Sequence, residues 1–409
     1  MDIRIEPRRL CGTVTPPPSK SMAHRLIISA ALGSGTSTIR NVAFSQDIEA
    51  TLRCMEALGD RWELLAEDVV QVTGIDHPSP EAFSELPRFD CGESGSTLRF
   101  LIPIALAVAG GGVFTGRGRL MERPQKPYFD LFDERGIFHQ QADGILTVRG
   151  RLTPGEYHLP GNVSSQFFTG LLFALALLDE SSTIVSTTAL ESADYINMTM
   201  DAMESAGVHV TPGEDGLSFQ VSPSTYAPMD GTVESDWSQA GFWYAANFLD
   251  SHLDIQGLNS RSAQGDMVVF DHYWKLARPG DVELDISGCP DLLPPLAVMA
   301  AVRSGTTHFV NAARLRIKES DRLATVHQLL TALGGLAEEG PDFLTVHGVP
   351  ALEGGTVDGA NDHRIVMAAA IAATACQSPV TILGAQAVNK SYPSFWEEYQ
   401  RLGGDFHVL

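Results

Sequence analysis

The sequence repeats one kind of helix start at intervals of about seventy residues. At six places a short polar run precedes an apolar, often Ala-rich segment. Counted from one marker residue to the next, the spacings are 73, 70, 72, 55 and 71. Such regularity indicates an internal repeat with one shorter copy. The markers are Ser21, Ser94, Ser164, Asp236, Asp291 and Asp362.

A second, amphipathic helix follows each apolar one, and short β-like runs lie between them. In the first repeat, residues 26–32 are apolar, 36–41 predict a strand, and 47–59 predict a helix that stops at a glycine. Each repeat therefore reads β-α-β-α-β-β. The second helices are predicted over 47–59, 127–135, 194–207, 266–276, 318–334 and 393–403.

We predict an α/β fold of six repeated βαβαββ units that form two similar domains around a cleft. The first helix of each repeat is apolar nearly all round, so these helices should be buried in globular domains. The loop 223–231, which is rich in turn residues, is the best boundary between two halves of three repeats. If the N-termini of the buried helices face the cleft, their dipoles and nearby cations attract anions.

Composition limits the kinds of partner. The net charge of −22 argues against non-specific binding to nucleic acid or to an anionic membrane. The longest apolar run, 100–114, is too short to span a bilayer, and the first residues lack a signal-peptide pattern. Five cysteines lie far apart without a C-x-x-C pair, which argues against a zinc site or disulfide framework. We therefore expect a cytoplasmic protein.

Cations gather at or beside the helix starts and turns. Arginine suits bidentate contact with phosphate or carboxylate, and lysine suits point-charge contact and proton transfer. Two carboxylates, Asp291 and Glu319, lie among them and could exchange protons. Each cation taken singly is usually a solvated surface residue. Asp291 and Ser164–Gln166 could be helix caps, and His363 could be a structural histidine. The cations are Lys20, Arg25, Arg99, Arg123, Lys318, Arg322, Arg364 and Lys390.

The motifs around these residues resemble those of the 5-enolpyruvylshikimate-3-phosphate (EPSP) synthase family over essentially the whole chain. The motifs that carry the resemblance are Ser19-Lys20-Ser21 with Arg25, Gly92-Glu93-Ser94-Gly95-Ser96-Thr97-Leu98-Arg99, Glu122-Arg123-Pro124, Val163-Ser164-Ser165-Gln166-Phe167, Ser192 with Tyr195, Gln264-Gly265-Asp266, Pro290-Asp291, Arg316-Ile317-Lys318-Glu319-Ser320-Asp321-Arg322, Asn361-Asp362-His363-Arg364 and Lys390-Ser391-Tyr392-Pro393. The family's fold has six βαβαββ units in two closing domains. The resemblance implies one domain over 15–228 and a second over 1–14 plus 229–409, with hinges near 12–18 and 223–232.

The resemblance also implies a reaction: transfer of the enolpyruvyl group of phosphoenolpyruvate to the 5-hydroxyl of shikimate 3-phosphate, with release of phosphate. No metal or organic cofactor is implied, and we expect a monomer that binds only these small molecules. The implied contacts of shikimate 3-phosphate are Lys20, Ser21, Arg25, Ser164, Ser165, Gln166, Ser192, Tyr195, Asp291 and Lys318. Those of phosphoenolpyruvate are Lys20, Gly95, Arg123, Gln166, Arg322, Arg364 and Lys390.

Four residues receive catalytic roles by the same resemblance. Asp291 would take the proton of the attacking hydroxyl, with Lys318 as rival or helper. Glu319 would protonate the methylene carbon of phosphoenolpyruvate and later remove a proton from the methyl group of the tetrahedral intermediate. Lys20 would assist the leaving phosphate. Gly95 keeps space open beside phosphoenolpyruvate, so we expect competitive inhibition by glyphosate.

Two departures and three rivals accompany this interpretation. Glu93 stands where well-known members have Asn, and Arg314 begins a triplet where they have Asn-Trp-Arg. The nearest rival is enolpyruvyl transfer to UDP-N-acetylglucosamine, whose enzymes typically carry Lys-Asn at Lys20-Ser21 and usually a loop cysteine. A non-catalytic anion-binding scaffold disagrees with the combination of Asp291, Lys318 and Glu319. An RNA-end-processing enzyme disagrees with the net charge.

Overall fold

The computed structural model describes residues 1–75 and 79–409. The strands are β1 Ile3–Glu6, β2 Cys11–Val14, β3 Thr36–Arg40, β4 Arg61–Ala66, β5 Val69–Thr73, β6 Arg88–Asp90, β7 Gly111–Thr115, β8 Phe138–Ala142, β9 Ile145–Arg149, β10 Glu156–Leu159, β11 Ser182–Ser186, β12 Val210–Pro212, β13 Ser218–Val221, β14 Asp230–Thr232, β15 His252–Ile255, β16 Val282–Asp285, β17 Thr306–Val310, β18 Leu336–Glu339, β19 Leu344–His347, β20 Gly355–Asp358, β21 Val380–Leu383 and β22 Asp405–Val408. The helices are α1 Lys20–Ala31, α2 Gln46–Glu56, α3 Gly95–Ala109, α4 Lys126–Arg135, α5 Ser165–Leu175, α6 Ala193–Ser205, α7 Trp237–Phe248, α8 Val269–Leu276, α9 Leu293–Val302, α10 Arg322–Ala332, α11 His363–Ala373 and α12 Phe395–Arg401.

The chain divides into two compact domains. The continuous domain is Pro18–Glu234, and the discontinuous domain combines Met1–Pro17 with Ser235–Leu409. The second boundary lies later than the 228/229 implied by the resemblance, because β14 pairs in parallel with β3, with Asp230 opposite Thr38. The first boundary falls at 17/18, where 14/15 was expected.

The repeat is visible in the sheets. Among the described residues, five sheets have four strands and a common order, in which two parallel strands are followed by an antiparallel pair. In β6-β7-β9-β8, for example, β6 and β7 are parallel, while β9 is antiparallel to both β7 and β8. In the sheet β20-β21-β1-β22, strand β1 from the start of the chain takes the place of β9.

The remaining sheet corrects the expectation that every repeat, including the shorter one, reads β-α-β-α-β-β. It consists of β2 and β15 alone, which are parallel, with α7 as the first helix of that repeat. After α8 the chain passes directly to β16 of the next sheet, so this repeat lacks the final antiparallel pair. The missing hairpin accounts for the one short spacing of 55 residues between Asp236 and Asp291.

The first helices are buried, as predicted. All residues of α11 and all but the last of α9 are buried, and α7, α9 and α11 contact one another in the core of the discontinuous domain. In the continuous domain α3 contacts α1 and α5, and α6 packs on α1 and α5. Five of these first helices begin at a residue whose side chain accepts a backbone N–H bond, which ends the preceding extended segment. The caps are Ser19, Ser94, Ser164, Asp236 and Asp362.

The second helix of the fifth repeat begins later than predicted. The sequence predicted a helix over 318–334, but α10 starts at Arg322, because Asp321 accepts the backbone N–H of Ala324 and caps the helix there. Residues Ala313–Ile317 form a 3₁₀ turn, and Lys318 to Ser320 lie between the two. Lys318 and Glu319 therefore stand in a non-helical segment.

Within the described ranges, no helix is long and apolar enough to cross a membrane.

Asp60, just before β4, is a buried carboxyl outside the candidate site. It is 2% exposed, and its carboxyl oxygens have no hydrogen-bond partner within the described parts of the chain. Burial, assisted by nearby Glu56, raises the pKa of Asp60 from 3.8 to about 7. Because the raised pKa belongs to the folded state, the stability contributed by this group falls as the pH rises from about 4 to about 7.

We therefore expect Asp60→Asn to stabilise the protein at pH 8. Burial of the charged form costs up to about 4 kcal/mol, and we expect about 1–3 kcal/mol to be recovered. The gain should shrink at pH 5, where the folded wild-type carboxyl is protonated. Urea unfolding at both pH values measures the difference, with the exposed Glu63→Gln as control. Equal gains at the two pH values would contradict this account.

Candidate active site

Arg25 is a buried cation in the continuous domain. It lies on α1, is 2% exposed, and donates from Nε to Thr199 Oγ1 at 2.8 Å and from its terminal nitrogens to the carbonyls of Ser21 and Tyr195 at 2.7 and 3.0 Å. Across residues 1–75 and 79–409, no carboxylate forms an ion pair with it. Burial lowers its pKa to about 10. A buried charge that is held by neutral groups alone is costly, and a bound anion would compensate it.

The starts of α3 and α5 are joined through Gln166. Its Oε1 accepts a bond from Arg99 at 2.9 Å, and its Nε2 donates to Ser96 Oγ at 3.0 Å. Arg99 also donates to the carbonyl of Pro124 at 3.0 Å, and its guanidinium lies 4.8 Å from the ring centre of Phe167. The predicted contact Gln166 is therefore joined through Arg99 to the loop that carries Arg123. Ser164 caps α5, so its capping interpretation holds in this structure.

Gly95 faces the Arg123 guanidinium directly. A Cβ atom on Gly95 would lie 2.6 Å from Arg123 Nη1 and 2.9 Å from its Cζ. Such distances are shorter than van der Waals contact, so only glycine fits without movement of the arginine. Arg123 is itself 7% exposed. Two predicted contacts of phosphoenolpyruvate are thus adjacent.

Lys20, Ser192 and Tyr195 are the remaining predicted contacts of this domain. Lys20 begins α1, and its Nζ forms an ion pair of 2.8 Å with Asp47 of α2. Ser192 precedes α6 with a φ of 55°, a left-handed conformation that is uncommon for residues other than glycine. Strain of this kind often marks a functional position. Tyr195 follows in the first turn of α6, with its ring 5.8 Å from Arg25 Cζ.

In the discontinuous domain, three cations surround Asp291. Its Oδ1 accepts from Arg322 at 2.8 Å and from Lys318 at 3.4 Å, and its Oδ2 accepts from Arg364 at 2.9 Å. Asp291 lies in the 3₁₀ turn Pro290–Leu292, and α9 begins after it without a side-chain cap. The capping interpretation of Asp291 is therefore wrong, because its carboxylate is directed to the cations.

Burial and neighbouring charges shift the pKa values of the two candidate bases, Asp291 and Lys318. Burial acts to raise the pKa of Asp291, but Arg364, Lys318 and Arg322 outweigh it and hold the pKa well below the usual range. Burial lowers the pKa of Lys318 to about 8, although Asp291 acts to raise it. Near neutral pH, Lys318 is therefore much closer to losing its proton than Asp291 is to gaining one.

Glu319 joins the same cluster through Arg322. Arg322 Nη2 donates to Glu319 Oε2 at 2.6 Å, while the side chain of Arg322 is 1% exposed and that of Glu319 is 19% exposed. Lys390, which is 5% exposed, donates to the carbonyl of Asn361 at 2.6 Å. All six predicted site residues of this domain thus surround the starts of α10 and α11.

Two carboxylates that interact with these cations were not predicted as site residues. Asp47 pairs with Lys20, and Asp362 pairs with Arg322 at 2.9 Å. Asp362 was visible as a repeat marker and as part of Asn361-Asp362-His363-Arg364, which could have indicated its role. Asp47 lies 27 residues after Lys20 in the chain, and no local pattern connects them.

The two departures from the family pattern are also placed. The Glu93 carboxylate lies against Gly118, since a Cβ on that glycine would come within 2.5 Å of Glu93 Oε2. Arg314, in the 3₁₀ turn before Lys318, is buried and donates to the carbonyl of Ser287. Arg314 acts to lower the pKa of Lys318, less strongly than burial does.

The architecture is that of the enolpyruvyl transferases. The structure of EPSP synthase from Acinetobacter baumannii superimposes with a TM-score of 0.79 at 21% identity and covers all of both chains. The enolpyruvyl transferase NikO from Streptomyces tendae gives a TM-score of 0.77 at 18% identity, covering 99% of this chain and 98% of the other. At these identities the likeness shows the fold alone.

Sequence comparison narrows the class to one family. Residues 5–399 match the family described as EPSP synthase (3-phosphoshikimate 1-carboxyvinyltransferase). The 3-phosphoshikimate 1-carboxyvinyltransferases of Clostridium acetobutylicum and Clostridium novyi are 42% and 41% identical; the matches cover 99% and 98% of this chain and 98% of each relative. The chain belongs to the EPSP synthase family, which confirms the resemblance found in its motifs.

Proposed function

We propose that this chain transfers the enolpyruvyl group of phosphoenolpyruvate to the 5-hydroxyl of shikimate 3-phosphate, with release of phosphate. The observation that carries the proposal is the buried Arg25, whose charge is held by neutral groups alone. Both substrates carry a phosphate and a carboxylate, so either could supply a counter-ion. The names of the relatives support the same reaction.

The proposed contacts follow the family motifs. Shikimate 3-phosphate is assigned to Arg25 and the polar starts of α1, α5 and α6, together with Asp291 and Lys318. Phosphoenolpyruvate is assigned to Lys20, Gly95, Arg123, Gln166, Arg322, Arg364 and Lys390. Preorganised cations that are already held in place stabilise developing charge without reorganisation during the reaction. Holding both substrates in reactive geometry can contribute roughly 7–11 kcal/mol.

The chemistry is addition followed by elimination. The 5-hydroxyl loses its proton to Lys318 or Asp291 as its oxygen attacks C2 of phosphoenolpyruvate, and the protonated form of Glu319 gives its proton to the methylene carbon and becomes a carboxylate. Glu319 then removes a proton from the resulting methyl group, while the C–O bond to phosphate breaks and Lys20 stabilises the leaving group. The pKa of Lys318, about 8, favours this lysine as the base near neutral pH.

The test is phosphate release from phosphoenolpyruvate with purified protein. We expect release that depends on shikimate 3-phosphate and no release with UDP-N-acetylglucosamine in its place. Phosphate release that depends on UDP-N-acetylglucosamine instead would show that this compound, and not shikimate 3-phosphate, is the acceptor. No release that depends on either acceptor would contradict enolpyruvyl transfer.

Gly95→Ala is expected to weaken phosphoenolpyruvate binding selectively. The added methyl group would displace the Arg123 guanidinium, whose Nη1 lies 2.6 Å from the new Cβ position. Loss of one charge-assisted contact corresponds to a rise in the KM for phosphoenolpyruvate of about ten-fold to a hundred-fold. The KM for shikimate 3-phosphate, measured on the same variant, serves as the internal control. Equal rises in both constants would speak against the assignment of Gly95.

Glyphosate tests the same space in the wild-type protein. We expect inhibition that is competitive with phosphoenolpyruvate, because the family resemblance assigns Gly95 and Arg123 to the phosphoenolpyruvate site. Full activity at millimolar glyphosate, together with ordinary substrate affinity, would contradict this expectation.

We also propose that the protein is a monomer and that it is located in the cytoplasm. Light scattering at working concentration tests the monomeric state, and fractionation of the source cells tests the location.

A further inference from the structure

Asp362 is a fully buried carboxylate that joins the starts of α10 and α11. It is 0% exposed. Its Oδ1 accepts the backbone N–H of Arg364 at 3.0 Å, which caps α11. Its Oδ2 accepts from Ser320 Oγ and from Arg322 Nε, both at 2.9 Å. One side chain thus fixes Arg322 relative to the backbone of Arg364.

The guanidinium of Arg322 contacts three carboxylates with different edges. Its side edge faces Asp362, with Nε at 2.9 Å from Oδ2 and Nη2 at 3.4 Å from Oδ1. Its outer edge faces the two candidate catalytic carboxylates, with Nη1 at 2.8 Å from Asp291 and Nη2 at 2.6 Å from Glu319. Because the guanidinium is planar and its N–H donors point in fixed directions, it can donate to carboxylates on both edges at the same time.

A substrate anion can bind only to the outer edge of the Arg322 guanidinium. Asp291 and Glu319 have side chains that are 19% exposed, whereas Asp362 is closed off from solvent. An anion that arrives from solvent therefore meets Nη1 and Nη2, and must displace the bonds to Asp291 and Glu319. The bond from Nε to Asp362 is not in its way.

We propose that Asp362 is a positioning residue that holds Arg322 in place while Asp291 and Glu319 give up their bonds to it for the anionic group of phosphoenolpyruvate. This inference rests on the proposed function. Asp291 and Glu319 act as counter-ions of Arg322 in the substrate-free protein and are released for proton transfer when substrate binds. Without Asp362, the guanidinium would lose its one fixed ionic contact at the moment of exchange.

The test variant is Asp362→Asn. The amide oxygen can keep the place of Oδ1 and cap α11, since asparagine is a good N-cap, while the amide nitrogen cannot accept the bond from Arg322 Nε. The matched control is Asp321→Asn. Asp321 caps α10 through Oδ1, and its Oδ2 pairs at 2.7 Å with Arg316, an arginine outside the proposed site. Both variants lose one arginine–carboxylate pair and keep a helix cap.

We expect Asp362→Asn to raise the KM for phosphoenolpyruvate about ten-fold to a hundred-fold, the effect of one charged hydrogen bond. The KM for shikimate 3-phosphate should change less, and Asp321→Asn should change neither constant more than about two-fold. Thermal unfolding confirms that each variant is folded. If Asp362→Asn does not fold, Asp362→Ser replaces it, because serine also caps a helix and carries no carboxylate.

A double-mutant cycle separates positioning from a general structural effect. In an Arg322→Ala background, Asp362→Asn should cost less than about three-fold in kcat/KM for phosphoenolpyruvate, because the group it positions is gone. The inference is overturned, while the proposed function stands, if Asp362→Asn lowers kcat/KM in the Arg322→Ala background as much as it does in the wild type. It is also overturned if Asp362→Asn changes the KM for phosphoenolpyruvate no more than Asp321→Asn does. Absence of wild-type phosphate release that depends on shikimate 3-phosphate overturns both.

Discussion

Replacement of Glu319 by glutamine is expected to lower turnover about a hundred-fold to ten-thousand-fold, the usual contribution of a positioned acid–base group. Glutamine keeps the size of the side chain and an oxygen that can accept the bond from Arg322 Nη2, now at 2.6 Å. It cannot deliver a proton to the methylene carbon or remove one from the methyl group. The loss should therefore appear in kcat, with a smaller change in either KM.

The control for this variant is Glu339→Gln. Glu339 Oε2 also accepts from an arginine, Arg316, at 3.1 Å, but neither residue belongs to the proposed site. Steady-state phosphate release at saturating concentrations of both substrates measures the two variants side by side. A Glu319→Gln enzyme that keeps more than about a tenth of wild-type turnover would remove Glu319 from the proton transfers.

Replacement of Asp291 by asparagine is expected to lower kcat/KM about a hundred-fold or more and to shift the pH dependence of what remains. Three cations bind this carboxylate, so its removal disturbs Lys318, Arg322 and Arg364 together. In the wild type, activity should rise with pH through about 8, because Lys318 must lose its proton before it can act as a base. Asp291 acts to raise that pKa, so in Asp291→Asn the rising limb should move to lower pH.

The pH profile of kcat/KM distinguishes the two bases, because it reports the ionisation of the free enzyme. If Asp291 itself accepts the hydroxyl proton, the wild-type kcat/KM should show no rise near pH 8, because the pKa of Asp291 lies well below its usual range, and Asp291→Asn should lose activity equally across the pH range. Lys318→Arg is the companion variant, since arginine keeps the positive charge and cannot deprotonate. A rise of kcat/KM near pH 8 that is still present in Lys318→Arg would show that a group other than Lys318 titrates there.

The helix starts were predictable because they follow local rules. Proline before a Ser-Lys-Ser cluster, and serine or aspartate before an apolar run, encode caps within a few residues, and the caps Ser19, Ser94 and Asp362 lie where such runs predict them. The proposed site residues came instead from the resemblance to the family motifs, and they stay a prediction. Their ionisation was not predictable, because the pKa of Asp291 depends on cations from two other segments of the chain, Lys318 with Arg322 and, separately, Arg364.

Long-range pairing was the part of the fold that the sequence did not reveal. The spacing of 55 residues indicated a shorter repeat, but it did not identify the missing pair of strands. Short strands such as β6 and β14 carry only three residues each, too few for a clear alternation of polar and apolar side chains. The bond between Lys20 and Asp47 is equally non-local. Such contacts depend on how the helices pack together, which a local pattern does not encode.

Strand β1 lies between β21 and β22, with Ile3 opposite both Ile382 and Val408. During vectorial synthesis on a ribosome, this strand emerges before the whole continuous domain, and its two partners emerge after it. The continuous domain, Pro18–Glu234, is complete in sequence long before that, and domains generally fold as units during translation. The discontinuous domain therefore has to keep residues 3–6 available, unpaired in their final sheet, until translation has passed residue 408. Until then the sheet β20-β21-β1-β22 cannot be completed, and its strand edges stay unpaired.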